Sequence, residues 1–481
     1  MLNKIKYLLS FVFVLILVSC SAGPSYDYDK NEYGEEYQGL IERGFVDPKD
    51  NPLSNFKLDS SSYAYTNLRR LINNNQYIPD DAVVIEQMLN YFNYSYKNNS
   101  DDALSTFIEV TKCPWNDENY IALISVNAHE IEYSQTNNNF VFLVDTSGSM
   151  SSNNKLPLFQ EGFKMFAENL TENDTISIVT YASGVRVIAD GINGNEKDKL
   201  IDAVDELSAS GSTNGSGGIQ KAYQIALKNF IVGGNNRIML VTDGDFNVGI
   251  NDQDSLNEFI SEKRQTGVYL SVLGFGIGNT KHNTMETLAQ NGNGNSYYVD
   301  SLLECQKLFV EEIGTVLHTV AKDAKIQVEF NPNVVNKYRL LGYENKMMSE
   351  SEFEDNETDS GEIGMGHTTI AMYEINLKEE INEYILKTEL RYKVPETEEV
   401  KEILKSVSNV SEHSDDTLFA SAVVEFALIL RNSRYKANSS YEHLFTYIYD
   451  INTLEDYYKE DFIKLVEQAY NNESLNKNRY D

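Results

Sequence analysis

The spacing of apolar and polar positions changes several times along the chain. An apolar run from Tyr7 to Val18 follows Lys4 and Lys6. It is too short to span a bilayer comfortably, but suits the core of a secretory signal. Residues 21–50 are polar, acidic and punctuated by Gly and Pro, without apolar periodicity, which predicts a tether. "SSYAYTNLRRLINNN" sets Tyr63, Leu68, Leu71 and Ile72 at roughly helical spacing. "PDDAVVIEQMLNYF" opens on Pro79-Asp80-Asp81 and carries Val84, Ile85, Met88, Leu89 and Phe92. Two short helices are expected. "ALSTFIEVTKCPW" and "NYIALISVNAHEI" partly alternate and read as an antiparallel pair.

From 139 to 320 strands alternate with helices. The strands are Phe140–Val144, Thr175–Thr180, Arg237–Thr242, Tyr269–Gly274 and Ser296–Val299. Amphipathic stretches such as "LPLFQEGFKMFAENL", "EKDKLIDAVDELS" and "GGIQKAYQIALKNFI" lie between them. This order predicts an α/β domain with a doubly wound parallel sheet. After 322 strands return without helices between them ("AKIQVEFNP", "YRLLGY", "HTTIAMYEI", "EYILKTELRYKV"), followed by a helical C-terminal region. Neither β-rich flank has enough strands for a good closed core alone. The α/β domain is therefore expected to be inserted into one composite sheet or sandwich, with strands near 103–130 pairing with strands near 325–391.

Composition narrows the function. A chain of 481 residues implies two or three domains. The formal net charge of −33 would repel a phosphate backbone, so nucleic acid is not an expected partner. Cys20, Cys113 and Cys305 are too few for a disulfide scaffold, and no CxxC pair suggests zinc. Cys113 and Cys305 are read as two buried thiols, with pairing in an oxidising compartment as the alternative. None of the six histidines sits in HExxH or beside a nucleophile motif.

Candidate chemistry gathers where the first α/β strand stops. In "NFVFLVDTSGSM" an apolar run ends on Asp145, with Ser147 and Ser149 at alternate positions. Ligands of open α/β sheets bind at the carboxyl ends of the strands. Asp243 closes the strand "RIMLVTD", and Thr213 lies in "SGSTNGSGG" just before a helix. Two carboxylates and three hydroxyls, with no sulfur or imidazole, suit a hard divalent cation: magnesium first, with calcium or manganese as alternatives. Enzyme readings fare worse. "DTSGS" has Ser147 where a DxDxT phosphatase motif needs its second, acid-donating aspartate. "GFGIG" lacks the full GxGxxG spacing, and the glycine-rich loop has no GK[ST].

The ordered set Asp145, Ser147, Ser149, Thr213 and Asp243 resembles the metal-ion-dependent adhesion site of von Willebrand factor A domains, DxSxS followed by Thr and Asp. The resemblance implies direct metal contact by the serines and threonine. It also implies aspartates acting directly or through water, and an acidic group from a protein partner completing the shell. "PLSNFKLDSSSYAYTNLRRLINNNQYIPDDAVVIEQMLNYFNYSY", "CPW", "AKDAKIQVEFNPNVVNKYRLLGYENK", "EIGMGHTTIAMYEI" and "DDTLFASAVVEFALILRNSRY" are similar to bacterial YfbK-like lipoproteins. "LVSC", ending at Cys20, resembles a lipobox. On this reading residues 1–20 are a lipoprotein signal, with Cys20 acylated as the new N-terminus. Residues 21–50 are the tether, 51–136 a von Willebrand-factor-associated region, 137–320 the A domain, and 321–481 a β-rich then helical domain. The expected protein is an extracytoplasmic binding module of the cell envelope, not an enzyme, held to the membrane by its N-terminal lipid. The alternative is an envelope assembly factor whose metal is purely structural.

Overall fold

The computed structural model describes residues 37–96, 102–129, 137–212, 215–244, 253–276, 282–314, 318–395, 397–453 and 456–480. The signal segment, Cys20 and Thr213 lie outside the described residues.

The N-terminal part contributes β1 (Leu53–Lys57), α1 (Tyr63–Asn73), α2 (Ile85–Leu89), β2 (Leu104–Lys112) and β3 (Tyr120–Ala128). The second expected helix is split. A 3-10 turn at Asp80–Ala82 precedes α2, and Val84 between them is extended. The central part comprises β4 (Asn138–Asp145), α3 (Leu156–Glu168), β5 (Asp174–Tyr181), β6 (Val185–Asn193), α4 (Lys197–Asp205), α5 (Gly215–Lys228), β7 (Asn235–Thr242), α6 (Gln253–Arg264), β8 (Val268–Phe275), α7 (His282–Asn291), β9 (Ser296–Val299) and α8 (Leu302–Gln306). The C-terminal part runs β10 (Thr319–Phe330), β11 (Val335–Leu341), α9 (Glu350–Glu354), β12 (Gly361–Gly364), β13 (Thr368–Leu377), β14 (Leu386–Lys393), β15 (Val400–Val407), α10 (Asp415–Leu430), α11 (Tyr441–Leu444) and α12 (Tyr457–Tyr480).

The central sheet has the order β6-β5-β4-β7-β8-β9. Five strands are parallel, as expected, and β6 is added antiparallel at the edge. The apolar pattern of the sequence does not mark β6, because its side chains are mostly exposed or half-buried and it lacks the continuous run of its neighbours. The interior strands bury both faces. Phe140, Phe142 and Val144 pack with α3, α4 and α8, whereas Val141 and Leu143 pack with α5, α6 and α7.

The flanks form a sandwich. One sheet runs β11-β13-β3-β2, and the other runs β1-β10-β14-β15 with β12 on β10. β3 pairs antiparallel with β13 (Ser125 opposite Ile370), so strands from either side of the central domain are neighbours, as expected. Ala122, Ile124, Ala371, Tyr373 and Ile375 face the opposite sheet across a common core. Ile121, Leu123, Ile370 and Met372 point the other way, under α1, α2, α10 and α12. Strands buried on both faces explain the imperfect alternation of their sequences.

One expected boundary moves. Residues 37–50 are not free tether. Val46 forms a β-bridge with Tyr338, and Phe45 lies under Lys337 and Arg339 and against Tyr435. A single pass of chain anchored by isolated side chains leaves no periodicity to read.

Two polar contacts are among those that fasten the insertion. Arg69 of α1 makes a two-pronged ion pair to Asp300 (Nε–Oδ2 2.8 Å, Nη2–Oδ1 2.6 Å) and reaches Glu304 of α8 at 2.8 Å. The Tyr91 hydroxyl closes the cluster, accepting from Arg69 and donating to Glu304. At the base, His318 Nε2 donates to Asn138 Oδ1 (3.0 Å), joining the last residue before β10 to the first of β4.

Both contacts give testable outcomes. Arg69→Met leaves two carboxylates buried without their guanidinium and should cost about 3–5 kcal/mol, read as a lower urea midpoint at unchanged slope. Burial, reinforced by the Arg237 charge, holds His318 down at about 4. Below its unfolded value of about 6.5 the unfolded chain takes up a proton that the folded chain refuses, so this contribution is complete above that pH and is lost as pH falls towards 4. His318→Gln should therefore narrow its stability difference from the parent by about 2 kcal/mol between pH 7.5 and pH 5 in urea titrations. Parallel pH profiles would refute the assignment.

Candidate functional site

The carboxyl ends of β4 and β7 lie side by side, Val144 opposite Val241. They deliver Asp145 and Asp243 to the same edge. Both are buried, Asp145 completely. Past Asp145 the chain turns sharply through a 3-10 turn at Gly148–Ser151. Asp145 Oδ1 accepts the Ser147 N–H at 2.7 Å, which fixes the start of that turn. The Ser147 and Ser149 hydroxyls come within 3.0 Å of each other, and Ser149 is exposed. The alternation in "DTSGS" thus brings two hydroxyls together beside a carboxylate.

A second loop is pinned over the first. Gly148 N–H donates to Gly211 O (3.0 Å), and Ser210 N–H donates to Thr146 O (2.8 Å). Gly211 has φ +81°, and a Cβ there would meet Ser183 Oγ at 2.3 Å, so this close approach requires glycine. The described part of this loop ends at Ser212, leaving the assignment of Thr213 to the sequence pattern alone.

The electrostatics are those of a crowded anionic site. Burial, and then the charge of Asp243, push Asp145 up to about 6. The Tyr181 phenol lies alongside, raised well above its ordinary value by burial and by Asp145. The Asp145 carboxyl takes side-chain hydrogen bonds from Ser147 and Tyr181, yet burial still opposes its charge. A buried carboxylate is costly unless a positive group meets it. With Ser147, Ser149 and Asp243 close by, the donor set fits a hard divalent cation. Asp145, Ser147, Ser149 and Asp243 are the described residues that would hold it.

One participant is not marked by any sequence motif. Lys155, at the start of α3, places its ammonium 2.9 Å from Asp243 Oδ2 in a buried ion pair. Its only signal is indirect. Gly276, within "GFGIG", has φ +91°, and a Cβ there would fall 2.3 Å from Lys155 Cε. The other candidates are structural. Cys113 and Cys305 are buried free thiols, and His443 bonds Glu425 at 2.7 Å.

Comparison with known proteins agrees with this architecture. Three family models match: "von Willebrand factor" over residues 31–122, "von Willebrand factor type A domain" over 139–311, and "Uncharacterized protein YfbK, C-terminal" over 315–471. The uncharacterized protein YfbK of Escherichia coli is 35% identical, aligned over 90% of this chain and 80% of its own length. The inter-alpha-trypsin inhibitor heavy chain H3 of Mesocricetus auratus is 26% identical over 41% of this chain and 23% of its own. Among solved structures, a von Willebrand factor type A protein from Catenulispora acidiphila superposes with a TM-score of 0.42 at 15% identity, covering 69% of this chain and 82% of that one. The similarity to the Escherichia coli protein runs through both flanks as well as the central domain, and the chain therefore belongs to the YfbK family, with a von Willebrand factor type A domain set between its two halves.

Proposed function

We propose that the protein is a lipid-anchored, extracytoplasmic binding module whose A domain holds a divalent cation, magnesium first and calcium or manganese as alternatives, and recognises a protein partner through an acidic side chain. The observation that carries this reading is the convergence at one strand end of two buried carboxylates, Asp145 and Asp243, with the hydroxyls of Ser147 and Ser149. When bound, the cation supplies positive charge that a partner's Asp or Glu carboxylate can join in place of water. The chain's own residues do the positioning. Asp145 orients the turn through Ser147 N–H, and the bonds between the Gly148 and Gly211 loops hold the serines at the rim. The role is binding rather than catalysis. Thr213 joins the donor set by the motif's order, and Cys20 supplies the membrane anchor in the cell envelope.

Asp145→Asn tests the reading, because the amide oxygen can still accept from Ser147 while the charge is lost. Calorimetric affinity for magnesium, calcium or manganese should fall about 10- to 100-fold or more, with the fold intact by near-UV circular dichroism. Unchanged affinity would move the site elsewhere. For the anchor, mass spectrometry of the membrane-extracted protein should find an N-terminal peptide that begins at acylated Cys20. An intact peptide across Ser19–Cys20 would exclude it.

A further inference from the structure

The ion pair between Lys155 and Asp243 lies inside the candidate metal site, where no motif calls for a lysine. Three elements combine to put it there. Lys155 is fixed at the head of α3, its N–H donating to Ser152 O (2.9 Å) and its carbonyl accepting from Phe159 N–H (2.9 Å). Its methylene stem crosses Gly276, where any side chain would collide with Cε, Cγ and Cδ. The Gly276 carbonyl is in turn held by the Tyr298 hydroxyl. The ammonium is thus led through a gap kept open by glycine to a carboxylate whose side chain is fully buried, and Lys155 itself is only 8% exposed. Lysine rarely accepts such burial without a partner that needs its charge.

We propose that Lys155 is a standing counter-cation: it meets the charge of Asp243 in the absence of a metal, and it lowers the affinity of the site for the divalent ion. This rests on the metal-binding reading above and specifies how the site is tuned. Two aspartates and one ammonium sum to −1, whereas the aspartates alone would sum to −2. A divalent ion entering beside Lys155 meets half the net charge and a like charge at the very carboxylate it would use. Repulsion between a unit charge and a divalent ion at a few ångströms remains substantial even at the effective dielectric of a partly buried site. The same ammonium keeps the two carboxylates from facing each other uncompensated when no ion is bound, so the loops need no metal to stay assembled.

The test compares the full-length protein with Lys155→Met and Lys155→Gln, both neutral and of similar length. The probe is Mn2+ alone, titrated by calorimetry, with thermal melts in chelator and in saturating Mn2+. Both variants should bind Mn2+ about tenfold tighter or more. They should melt lower than the parent in chelator and gain more from the ion. A variant that folds only with Mn2+, or one that binds where the parent does not, would equally support the counter-cation role. If the parent binds and the folded variants bind equally or more weakly, that role is overturned while the metal site stands. If neither parent nor variants bind any ion, the metal-binding reading itself fails and takes this inference with it. Variants that fold under no condition would make Lys155 a packing residue and would also overturn the proposal.

Discussion

The architecture depends on one backbone pairing. β3 lies against β13 in continuous antiparallel register from Tyr120–Ile375 to Asn127–Thr368, although the whole central domain separates the two strands in the chain. If that ladder is removed, the sheet β11-β13-β3-β2 falls into two separate pairs of strands. The helical layer would lose the surface presented by Ile121, Leu123, Ile370 and Met372. The ladder can form only if the central domain returns its two ends to the same place. β4 and β10 satisfy this through the contact between Asn138 and His318, and next to it His129 and His367 take part in backbone bonds joining β3 to the loop before β13. The central domain is therefore a closed excursion from the sandwich, and the Arg69 cluster fastens its far side to the helical layer.

Such a frame can support a costly site. Asp145 and Asp243 are buried at the carboxyl ends of neighbouring strands, and desolvation opposes the charge of Asp145. Strands in register on both sides, together with a second loop bonded across the first, leave the carboxylates no easy escape to water. The same rigidity lets short hydroxyl side chains act together, since serine has little reach and its position is set by the backbone.

Much of this is legible in the sequence, and the exceptions share a cause. The strands of the central sheet with continuous apolar character, β4, β5, β7, β8 and β9, all stand out in the pattern. β1, β6, β12 and β15 do not. β15 is an edge strand with charged and polar residues at half its positions and no fully buried side chain, and Leu404 stands 73% exposed, so no buried face imprints a pattern on it. At the site, Asp145, Ser147, Ser149 and Asp243 follow a local spacing that their loops preserve. Lys155 depends on a meeting between the start of α3 and the end of β8, positions far apart in sequence, and no local pattern encodes such a meeting. The same holds for residues 37–50, whose anchorage rests on single side chains finding partners hundreds of residues away.

The inserted arrangement also dictates an order of events as the chain folds. β1 must find β10, and β3 must find β13, across very long stretches of chain, and contacts of such separation are slow to form. The central domain is built from short strand–helix units and can collapse on local contacts first. Once it has done so, its two ends sit together, and the β3–β13 closure spans about 60 residues rather than about 240. On loop-closure entropy alone that difference amounts to about 1 kcal/mol. The domain that carries the site would thus also serve as the template on which its surrounding sandwich is assembled.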